Sequence, residues 1–342
     1  MKKNRLFSLI AILGITLINV TGCNSNEKIV TKDVSINKTA DKVKIGFVDV
    51  TGTGQISSTL GLARDSGFVD EELKKVGAEA EFVPMTGAGP AINEALASKN
   101  LDIGNLGDVP AIIGKAAGID TELISSAGLV NGASLIVPKN STVTSVKDLK
   151  GKKIATQKGA FMHKVLIDIL KSNGLKVEDI EFVNMNAQDS ADALVSGNVD
   201  GAVIGGITLG KLVLNGQAKV IVDYRDNPQW NTASYTIVRT EFAKNNPDIV
   251  KAILKSLVRA KKLCDQDSTA SLEQWKRAGN SEETYKYLYP KNDYVDEIEI
   301  SSETINSGKS TIEFLKNNSL IKNDVDFNKW INKSYYEEVK NG

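Results

Sequence analysis

Short apolar runs alternate with amphipathic stretches along the chain from Val43 onward. Each run has the length of a strand, and the stretches between the runs repeat apolar residues at helical spacing. Alternation of this kind predicts parallel α/β sheets. We expect strands at residues 43–48, 80–84, 103–106, 122–126, 134–138, 153–157, 181–185, 199–204, 218–222 and 233–239. We expect helices between them at residues 90–98, 108–117, 161–172, 188–196 and 207–214.

Beyond residue 240 the pattern becomes almost entirely helical, with helices predicted at residues 247–265, 268–279, 281–288, 302–317 and 327–339. About 300 residues exceed what one α/β core usually holds, so we expect two lobes. Residues 43–134 would form the first part of lobe I, and residues 135–229 would form lobe II. Residues 230–342 would return to lobe I and add C-terminal helices that brace it. No fixed-period repeat is visible in the sequence.

The N-terminus has the pattern of a secretory signal peptide, which we assign to residues 1–22. Basic residues precede an apolar run, residues 6–20, that is shorter than the roughly 20 apolar residues of a bilayer span. The sequence Val20-Thr21-Gly22-Cys23 resembles a bacterial lipobox, which predicts lipidation of Cys23. The alternative is an ordinary signal peptide followed by a chance cysteine.

Residues 23–42 are polar and nearly free of bulky apolar side chains, which predicts a flexible tether. Two acyl chains on Cys23 would anchor the tether stably. We therefore expect the protein on the extracytoplasmic side of the cell membrane, held by a lipid.

Cysteine usage and charge narrow the function further. The only other cysteine is Cys264, so an acylated Cys23 leaves no intrachain disulfide. Without the signal peptide the chain has 39 basic and 42 acidic residues, a net charge of −3. A nucleic-acid partner normally requires a basic patch or a positive excess. We therefore expect no nucleic-acid partner.

Five glycine-containing turns follow predicted strands. The carboxyl ends of parallel strands meet at one edge of a sheet, where helix N-termini converge. Backbone amides left unpaired at helix starts attract anions, so these turns together predict an oxyanion site in a cleft between the lobes. A glycine in any one of them could instead merely permit a tight bend. The turns are residues 51–54, 86–89, 104–108, 156–159 and 205–208.

Nucleotide binding and catalysis find little support in the sequence. No stretch supplies G-x-x-x-x-G-K-[ST], and Gly52-x-Gly54 is not followed by the rest of a dinucleotide motif. His163 is the only histidine, which excludes a multi-histidine zinc site, and no G-x-S-x-G elbow is present. We expect no catalytic residues, metal or cofactor. An enzyme on the same fold remains the alternative from another class.

Two segments carry a family resemblance. Residues 85–118, MTGAGPAINEALASKNLDIGNLGDVPAIIGKAAG, and residues 134–175, SLIVPKNSTVTSVKDLKGKKIATQKGAFMHKVLIDILKSNGL, resemble the solute-binding lipoproteins of ABC importers in the sulfonate/nitrate/taurine group. The resemblance implies a two-lobed type II periplasmic-binding-protein fold, with a mainly parallel sheet flanked by helices in each lobe and two hinge crossovers. It implies capture of a small organic anion and delivery to an ABC permease with its ATPase. We expect a monomer and hinges at residues 134–139 and 223–233.

Positions that match the family's motifs, together with the aromatic and histidine residues of the predicted cleft, give the candidate ligand contacts. The candidates are Thr51, Thr53, Gly54, Gln55, Thr86, Gly87, Ala88, Gly107, Asp108, Gly159, Ala160, Phe161, His163, Gly205 and Trp230. His163 could equally be a structural or surface residue. Phe161 and Trp230 could stack on a ligand or pack on the surface.

Two departures from the family pattern bear on the ligand. Ala160-Phe161 stands where small hydroxyl residues are usual, and Gly205-Gly206-Ile207 stands where an aromatic-acid-proline run is usual. A molecule more apolar or bulkier than a short alkanesulfonate becomes plausible. The competing ligand is a neutral heteroaromatic such as a thiamine-precursor pyrimidine.

Overall fold

The computed structural model describes residues 40–49, 53–56, 58–129, 132–291 and 297–341. All of them belong to one structural unit, Thr39–Gly342. The predictions for the signal peptide, Cys23, most of the tether and Thr51 fall outside the described residues.

The described residues form ten strands arranged in two sheets of five. In chain order they are β1 (Lys42–Val48), β2 (Glu79–Met85), β3 (Ile103–Gly107), β4 (Thr121–Ser126), β5 (Ala133–Pro138), β6 (Lys153–Thr156), β7 (Glu181–Asn184), β8 (Gly201–Gly205), β9 (Ala218–Val222) and β10 (Ser234–Arg239). The first sheet has the order β2-β1-β3-β10-β4, and the second has the order β7-β6-β8-β5-β9. In each sheet only the fourth strand of that order runs antiparallel to its neighbours. The prediction of two mainly parallel sheets is confirmed.

Helices flank both sheets. Those before β10 are α1 (Thr59–Asp65), α2 (Phe68–Lys75), α3 (Ala88–Ala97), α4 (Asp108–Ala116), α5 (Phe161–Ser172), α6 (Ala187–Val195) and α7 (Gly206–Leu214). Those after it are α8 (Thr240–Asn245), α9 (Pro247–Gln266), α10 (Ala270–Arg277), α11 (Glu282–Leu288), α12 (Ser302–Asn317), α13 (Phe327–Trp330) and α14 (Ser334–Val339). Among the described residues, no helix combines the length and apolar character needed to cross a membrane.

The core follows from the alternation of side chains along the strands. Ile237 and Val238 of β10 are adjacent, so they point to opposite faces and enter different apolar clusters. One of these clusters includes α1, α2 and α9, and the other includes α4, α12 and α13. In the second sheet, Leu135 and Ile136 of β5 divide in the same way. Each sheet is therefore buried on both faces, as parallel sheets generally are.

The predicted strands agree with the structure to within two residues at each end, whereas some helices do not. Helices α1, α2 and α8 were not predicted. Each is at most eight residues long, and α2 is rich in charged residues, so an apolar period is hard to detect. The single helix expected at residues 327–339 is two helices, α13 and α14, separated at residues 331–333.

Two stretches of the chain correspond to each other, although the sequence has no fixed-period repeat. We call residues 81–107 the first repeat and residues 181–205 the second repeat. They share EFVPM and EFVNM at their starts, and ALASKNLDIGNLG and ALVSGNVDGAVIG at their ends. The first covers most of β2, α3 and β3, the second covers β7, α6 and β8, and α4 and α7 follow directly. The segment between the matching ends is two residues shorter in the second repeat than in the first. A search for a single fixed period therefore does not detect the correspondence.

The two repeats also make the same contacts. The backbone amide of Lys44 donates to Oδ2 of Asp102 at 2.9 Å, and that of Lys153 donates to Oδ2 of Asp200 at 2.9 Å. In both sheets the strand that opens the repeat lies at the edge, and the strand that closes it lies third. Each turn in one repeat can therefore be compared with a structural equivalent in the other.

The chain passes between the sheets twice, after β4 and after β9. The first passage ends before residue 133, because the hinge segment expected at residues 134–139 consists mostly of β5. In the second passage, Tyr224 lies against Gly132, where an added methyl group would come 2.0 Å from the ring. The Tyr224 hydroxyl donates to the carbonyl oxygen of Leu288 in α11 at 2.8 Å. The C-terminal helices therefore do more than brace the first sheet, since α11 also contacts the second sheet's side.

Candidate ligand-binding site

The turns predicted to bind an anion follow the carboxyl ends of parallel strands. In the first sheet β1 pairs in parallel with β2 and β3, and in the second β6 pairs in parallel with β7 and β8. The turns that follow β1, β2 and β3 therefore lie along one edge of the first sheet. Those that follow β6, β7 and β8 lie along one edge of the second.

The start of α5 brings these two edges together. The ring of Phe161, the first residue of α5, packs against apolar clusters of both sheets. Two residues further on, the His163 ring lies 5.7 Å from the ring of Phe314 in α12. Burial raises the pKa of Asp108 at the start of α4, and the positive charge of Lys164 in α5 opposes part of that rise. The turn after β6 therefore faces the turn after β3.

The turn after β2 leads into α3 with no side chain capping the helix. Its N-cap residue is Gly87, which has no side-chain acceptor for the amides of the first turn. Ala88 has a φ of 54°, in the left-handed region that a residue with a Cβ rarely adopts. Thr86 is exposed beside it. Pro90, the third residue of α3, has no amide hydrogen, so the amides without a side-chain acceptor are those of Gly87, Ala88 and Gly89. Such amides beside a strained backbone are typical of a binding turn.

The turn after β1 is different, because its amides already have an acceptor. The carboxylate of Asp49 accepts from the amide of Gly54 at 2.7 Å and from that of Thr53 at 3.3 Å. Asp49 is 3% exposed. That Thr53, Gly54 and Gln55 contact the ligand stays a prediction. Because the backbone amides of Thr53 and Gly54 already donate to Asp49, these two residues would have to contact a ligand through other atoms.

The start of α4 is also closed. Oδ1 of Asp108 accepts from the amide of Val109 at 2.7 Å, and Oδ2 accepts from the hydroxyl of Thr311 at 3.1 Å. The next residue, Pro110, has no amide hydrogen. Asp108 is 1% exposed, and this burial raises the pKa of its carboxyl to about 6. Asp108 and Gly107 lie at the predicted strand end, but the carboxyl of Asp108 is committed to the protein.

The turn before α5 is partly open. The amide of Gly159 donates to Nδ1 of His163 at 3.3 Å, and that of Ala160 donates to the carbonyl oxygen of Gln157 at 3.2 Å. The N-cap residue, Ala160, makes no side-chain cap, so the first-turn amides of α5 have no side-chain acceptor. Burial, with a smaller contribution from the charge of Lys158, lowers the pKa of His163 and so favours the neutral imidazole.

The turn after β8 places its backbone beside Phe161. A methyl group on Gly205 would come 3.2 Å from Cζ of Phe161 and 2.5 Å from the carbonyl oxygen of Gly132, so only glycine fits. Gly206 has a φ of 59°, and no side chain caps α7. Trp230 lies in the second passage between the sheets and packs against an apolar cluster of the second sheet.

Several residues that shape this edge were not predicted from the sequence, namely Asp49, Lys164, Thr311 and Phe314. Asp49 directly follows β1, four residues before Thr53. The presence of an acid at this position was the one feature of the sequence that could have predicted its contact with the turn. The other three act across elements far apart in the chain. A separate hollow of about 480 Å³ lies on the C-terminal helices, between α9 and α14. Lysines and acids line it together, and it includes none of the strand-end turns.

Comparison with known proteins defines the class. The family model described as NMT1/THI5 like matches residues 62–267, which is more than half of the chain. The chain therefore belongs to the NMT1/THI5-like family.

Individual relatives share sequence and fold with this chain. It is 29% identical over 261 residues to the "Putative aliphatic sulfonates-binding protein" of Bacillus subtilis (strain 168), covering 75% of this chain and 73% of that one. It is 34% identical over 176 residues to the "Taurine-binding periplasmic protein" of Escherichia coli (strain K12), covering 51% of this chain and 54% of that one. The crystal structure of the "periplasmic sulfonate-binding protein SsuA" of Methylobacillus flagellatus KT superposes with a TM-score of 0.77 at 29% identity, covering 88% of this chain and 94% of that one. The fold is therefore that of periplasmic binding proteins.

Proposed function

We propose that this protein is the extracytoplasmic substrate-binding lipoprotein of an ABC importer and that it captures a sulfonate between its two sheets. The observation that carries the proposal is the set of uncapped helix starts, α3 from the first sheet and α5 and α7 from the second. The names of the sulfonate- and taurine-binding relatives support the same ligand class. They do not favour the pyrimidine alternative.

The energetics suit reversible capture. A hydrogen bond from an amide to an anion contributes roughly 1.5–3 kcal/mol, so three helix starts supply about 5–9 kcal/mol before costs. Apolar burial adds to this, and ordering of the ligand and the lobes subtracts from it. A micromolar dissociation constant, about −8 kcal/mol, is within this range.

Capture needs no chemistry from the protein. Ligand bound to the start of α3 would gain the contacts of α5 and α7 only when the two sheets approach, and such contacts drive closure. The passages after β4 and β9 would act as hinges. Residues 43–134 and 230–342 would form lobe I, and residues 135–229 would form lobe II. The closed protein, a monomer, would then present both lobes to the permease. We infer that it is not an enzyme, because its named relatives are binding proteins and its one histidine is buried between rings.

Calorimetric titration tests the ligand. The purified protein is titrated with propane-1-sulfonate, nitrate and a 4-amino-5-hydroxymethylpyrimidine, and each mixture is analysed for turnover. We expect micromolar binding of the sulfonate and no product. Binding of the pyrimidine alone would replace the proposed ligand, and turnover would replace the proposed class.

Membrane fractionation tests the anchor. Residues 1–22 would be removed as a signal peptide and Cys23 acylated, with residues 23–42 as the tether. A Cys23→Ala variant should leave the membrane fraction, whereas Cys264→Ala should not. Retention of the Cys23→Ala variant would contradict lipidation at this position.

A further inference from the structure

We propose that α11 is a latch for the closed arrangement of the two sheets: it is fixed to the first sheet and to the hinge, and its contact with α7 of the second sheet forms on closure. This inference rests on the proposed function and adds a conformational element outside the ligand site. It is carried by the attachments of α11 and by the close approach of Gly210 in α7 to Thr284 in α11.

One side of α11 is fixed to the core of the first sheet. Tyr285 and Leu288 are buried in the apolar cluster that includes β1 and α9. The Tyr285 ring packs edge-to-face on that of Trp275 in α10, with ring centres 5.8 Å apart. Nε1 of Trp275 donates to the carbonyl oxygen of Ser281, the residue before α11, at 2.8 Å. These contacts place α11 with the first sheet.

The last turn of α11 is bound by the second passage between the sheets. The final carbonyl groups of a helix have no partner within it, and a cation beside them is favourable. The guanidinium of Arg225 donates to the carbonyl oxygen of Tyr287 at 3.0 Å and lies over the Tyr287 ring. The hydroxyl of Tyr224 donates to the carbonyl oxygen of Leu288 at 2.8 Å. The proposed hinge is therefore joined to the end of α11, so rotation at the hinge changes how α7 meets this helix.

The remaining side of α11 meets α7, which belongs to the second sheet. Gly210 lies within α7, and a methyl group on it would come 2.8 Å from Cγ2 of Thr284 and 3.6 Å from Cγ of Leu288. Ile207, one turn earlier, packs against the apolar cluster of the first sheet. Glycine inside a helix is unfavourable relative to alanine, so its presence here is explained by the close approach of the two helices.

Ligand contact and the latch are linked through α7. The sheets also meet at a second place, where the His163 ring of α5 lies 5.7 Å from the Phe314 ring of α12. Helix α7 starts at Gly206 in the proposed site, and Gly210 lies four residues further on, about 6 Å along the helix. A ligand held by the start of α7 therefore fixes the position of Gly210 against α11. A contact made only in the closed state raises the population of that state and with it the ligand affinity.

A double-mutant cycle with propane-1-sulfonate tests the latch. Gly210→Ala adds the methyl group that meets Thr284 and should weaken binding about tenfold, because it separates α7 from α11 in the closed state. Thr284→Ser removes Cγ2 but keeps the hydroxyl that bonds to Ser281, and alone it should change affinity by less than about threefold. In the double variant the nearest remaining atom is Cγ of Leu288, at an ordinary contact distance, so affinity should return to within about threefold of the parent. Calorimetry measures all four proteins.

Cross-linking tests the latch without a ligand. Cγ2 of Thr284 is one bond from Cβ, so cysteines at positions 210 and 284 would lie within reach of a disulfide. The pair Gly210→Cys/Thr284→Cys is made together with Cys23→Ala/Cys264→Ala, which leaves no other cysteine. The oxidised, ligand-free protein should have a smaller radius of gyration than the same protein after reduction, because the bond holds the closed arrangement. Small-angle X-ray scattering measures this difference.

The outcomes separate the latch from the proposed function. Unchanged affinity of Gly210→Ala would overturn the latch, because a contact present in both states destabilises them equally. A loss that Thr284→Ser does not restore, equal radii of gyration before and after reduction, or failure of the disulfide to form would overturn it too. Failure of propane-1-sulfonate to bind the parent protein would overturn the proposed ligand, and the scattering comparison would still decide the latch.

Discussion

The first and second repeats follow the same path through their sheets but close opposite helix starts. In the first repeat the helix that lies inside it, α3, has no side-chain cap, and the start of the following helix, α4, is closed by Asp108. Both helices have proline at the third position, Pro90 and Pro110, so the difference between them comes from Asp108. In the second repeat the inner helix, α6, is capped by Asn186, and the following helix, α7, is uncapped. Each repeat therefore has one helix start without a side-chain acceptor and one with such an acceptor.

This difference indicates that glycine at a strand end does not by itself define an anion site. Gly107 precedes α4 and Gly205 precedes α7 at matching positions, yet only the second is followed by amides without a side-chain acceptor. The deciding feature is the residue after the glycine. An acid at that position engages its neighbouring amide, whereas another glycine leaves the amides available.

The largest effect expected from this comparison concerns the buried acid of the first sheet. The pKa of Asp108 is raised from 3.8 to about 6 in the folded protein. The folded state therefore holds a proton that the unfolded state has lost, and stability falls as pH rises from about 4 to 6. Asp108→Asn should remove a fall of about 3 kcal/mol across this window. Urea unfolding at pH 4 and pH 7 measures the difference.

A matched control has the opposite sign. Backbone hydrogen bonds from Thr144 and Ser145 lower the pKa of Asp148, so its contribution to stability is present at pH 7 and is lost as pH falls. Asp148→Asn should therefore weaken the protein at pH 7 and nearly as much at pH 4, lose this effect only below about pH 3.8, and leave the fall between pH 4 and pH 7 in place. Lys164, Thr311 and Tyr235 face Asp108 and remain unchanged in both variants. An Asp108→Asn protein that keeps the fall between pH 4 and pH 7 would contradict a buried, proton-binding Asp108.

The next effect tests the open start of the first repeat against the closed start of the second. Gly87→Asp places a carboxylate at the N-cap of α3, where it would occupy the first-turn amides and repel an anion. We expect sulfonate affinity to fall by about tenfold to a hundredfold. Asn186→Asp adds the same charge at the N-cap of α6, which is already capped, and should change affinity by less than threefold. Titration calorimetry measures both.

Steric effects need a separate control, because a Cβ on Gly87 would lie 2.9 Å from Cβ of Ala91. Gly87→Ala introduces that contact without the carboxylate and should keep most of the affinity. Equal losses in Gly87→Asp and Asn186→Asp would mean that charge anywhere near the cleft is sufficient. The difference in capping between α3 and α6 would then have no effect on ligand binding.

Much of the fold could be predicted because the strands are continuous apolar runs and most helices are amphipathic. The short helices α1 and α2 could not, since α2 buries an acid, Glu72, that is paired with Arg259 of α9. The candidate turns could also be located, because each is marked by glycine after a strand. Whether their amides are available depends on where Asp49 and Asp108 point, and that direction is set by tertiary packing. The contact between His163 in α5 and Phe314 in α12 could not be predicted either, because nothing in the sequence indicates that these two helices meet.

The smallest effect concerns one backbone position that the two repeats occupy with different residues. Lys99 and Gly197 follow Ser98 and Ser196, and both lie in the left-handed region, with φ of 60° and 74°. A left-handed residue with a Cβ costs about 1 kcal/mol more than glycine. Gly197→Lys should therefore lower the free energy of unfolding by about 1 kcal/mol. A Cβ there meets no atom within 4 Å, so the cost comes from the backbone alone.

The reciprocal change in the first repeat should be favourable but smaller. Lys99→Gly relieves the same backbone strain, but it removes an exposed ion pair in which Nζ of Lys99 lies 2.6 Å from Oε2 of Glu241. Such surface pairs contribute about 0–1 kcal/mol, so a net gain below about 1 kcal/mol is expected. Urea unfolding of both variants and of Lys99→Met, which removes the pair but keeps a side chain at this backbone position, separates the two contributions. A Gly197→Lys protein as stable as the parent would show that the two repeats differ in backbone conformation at this position, because only a changed φ could accommodate lysine without cost.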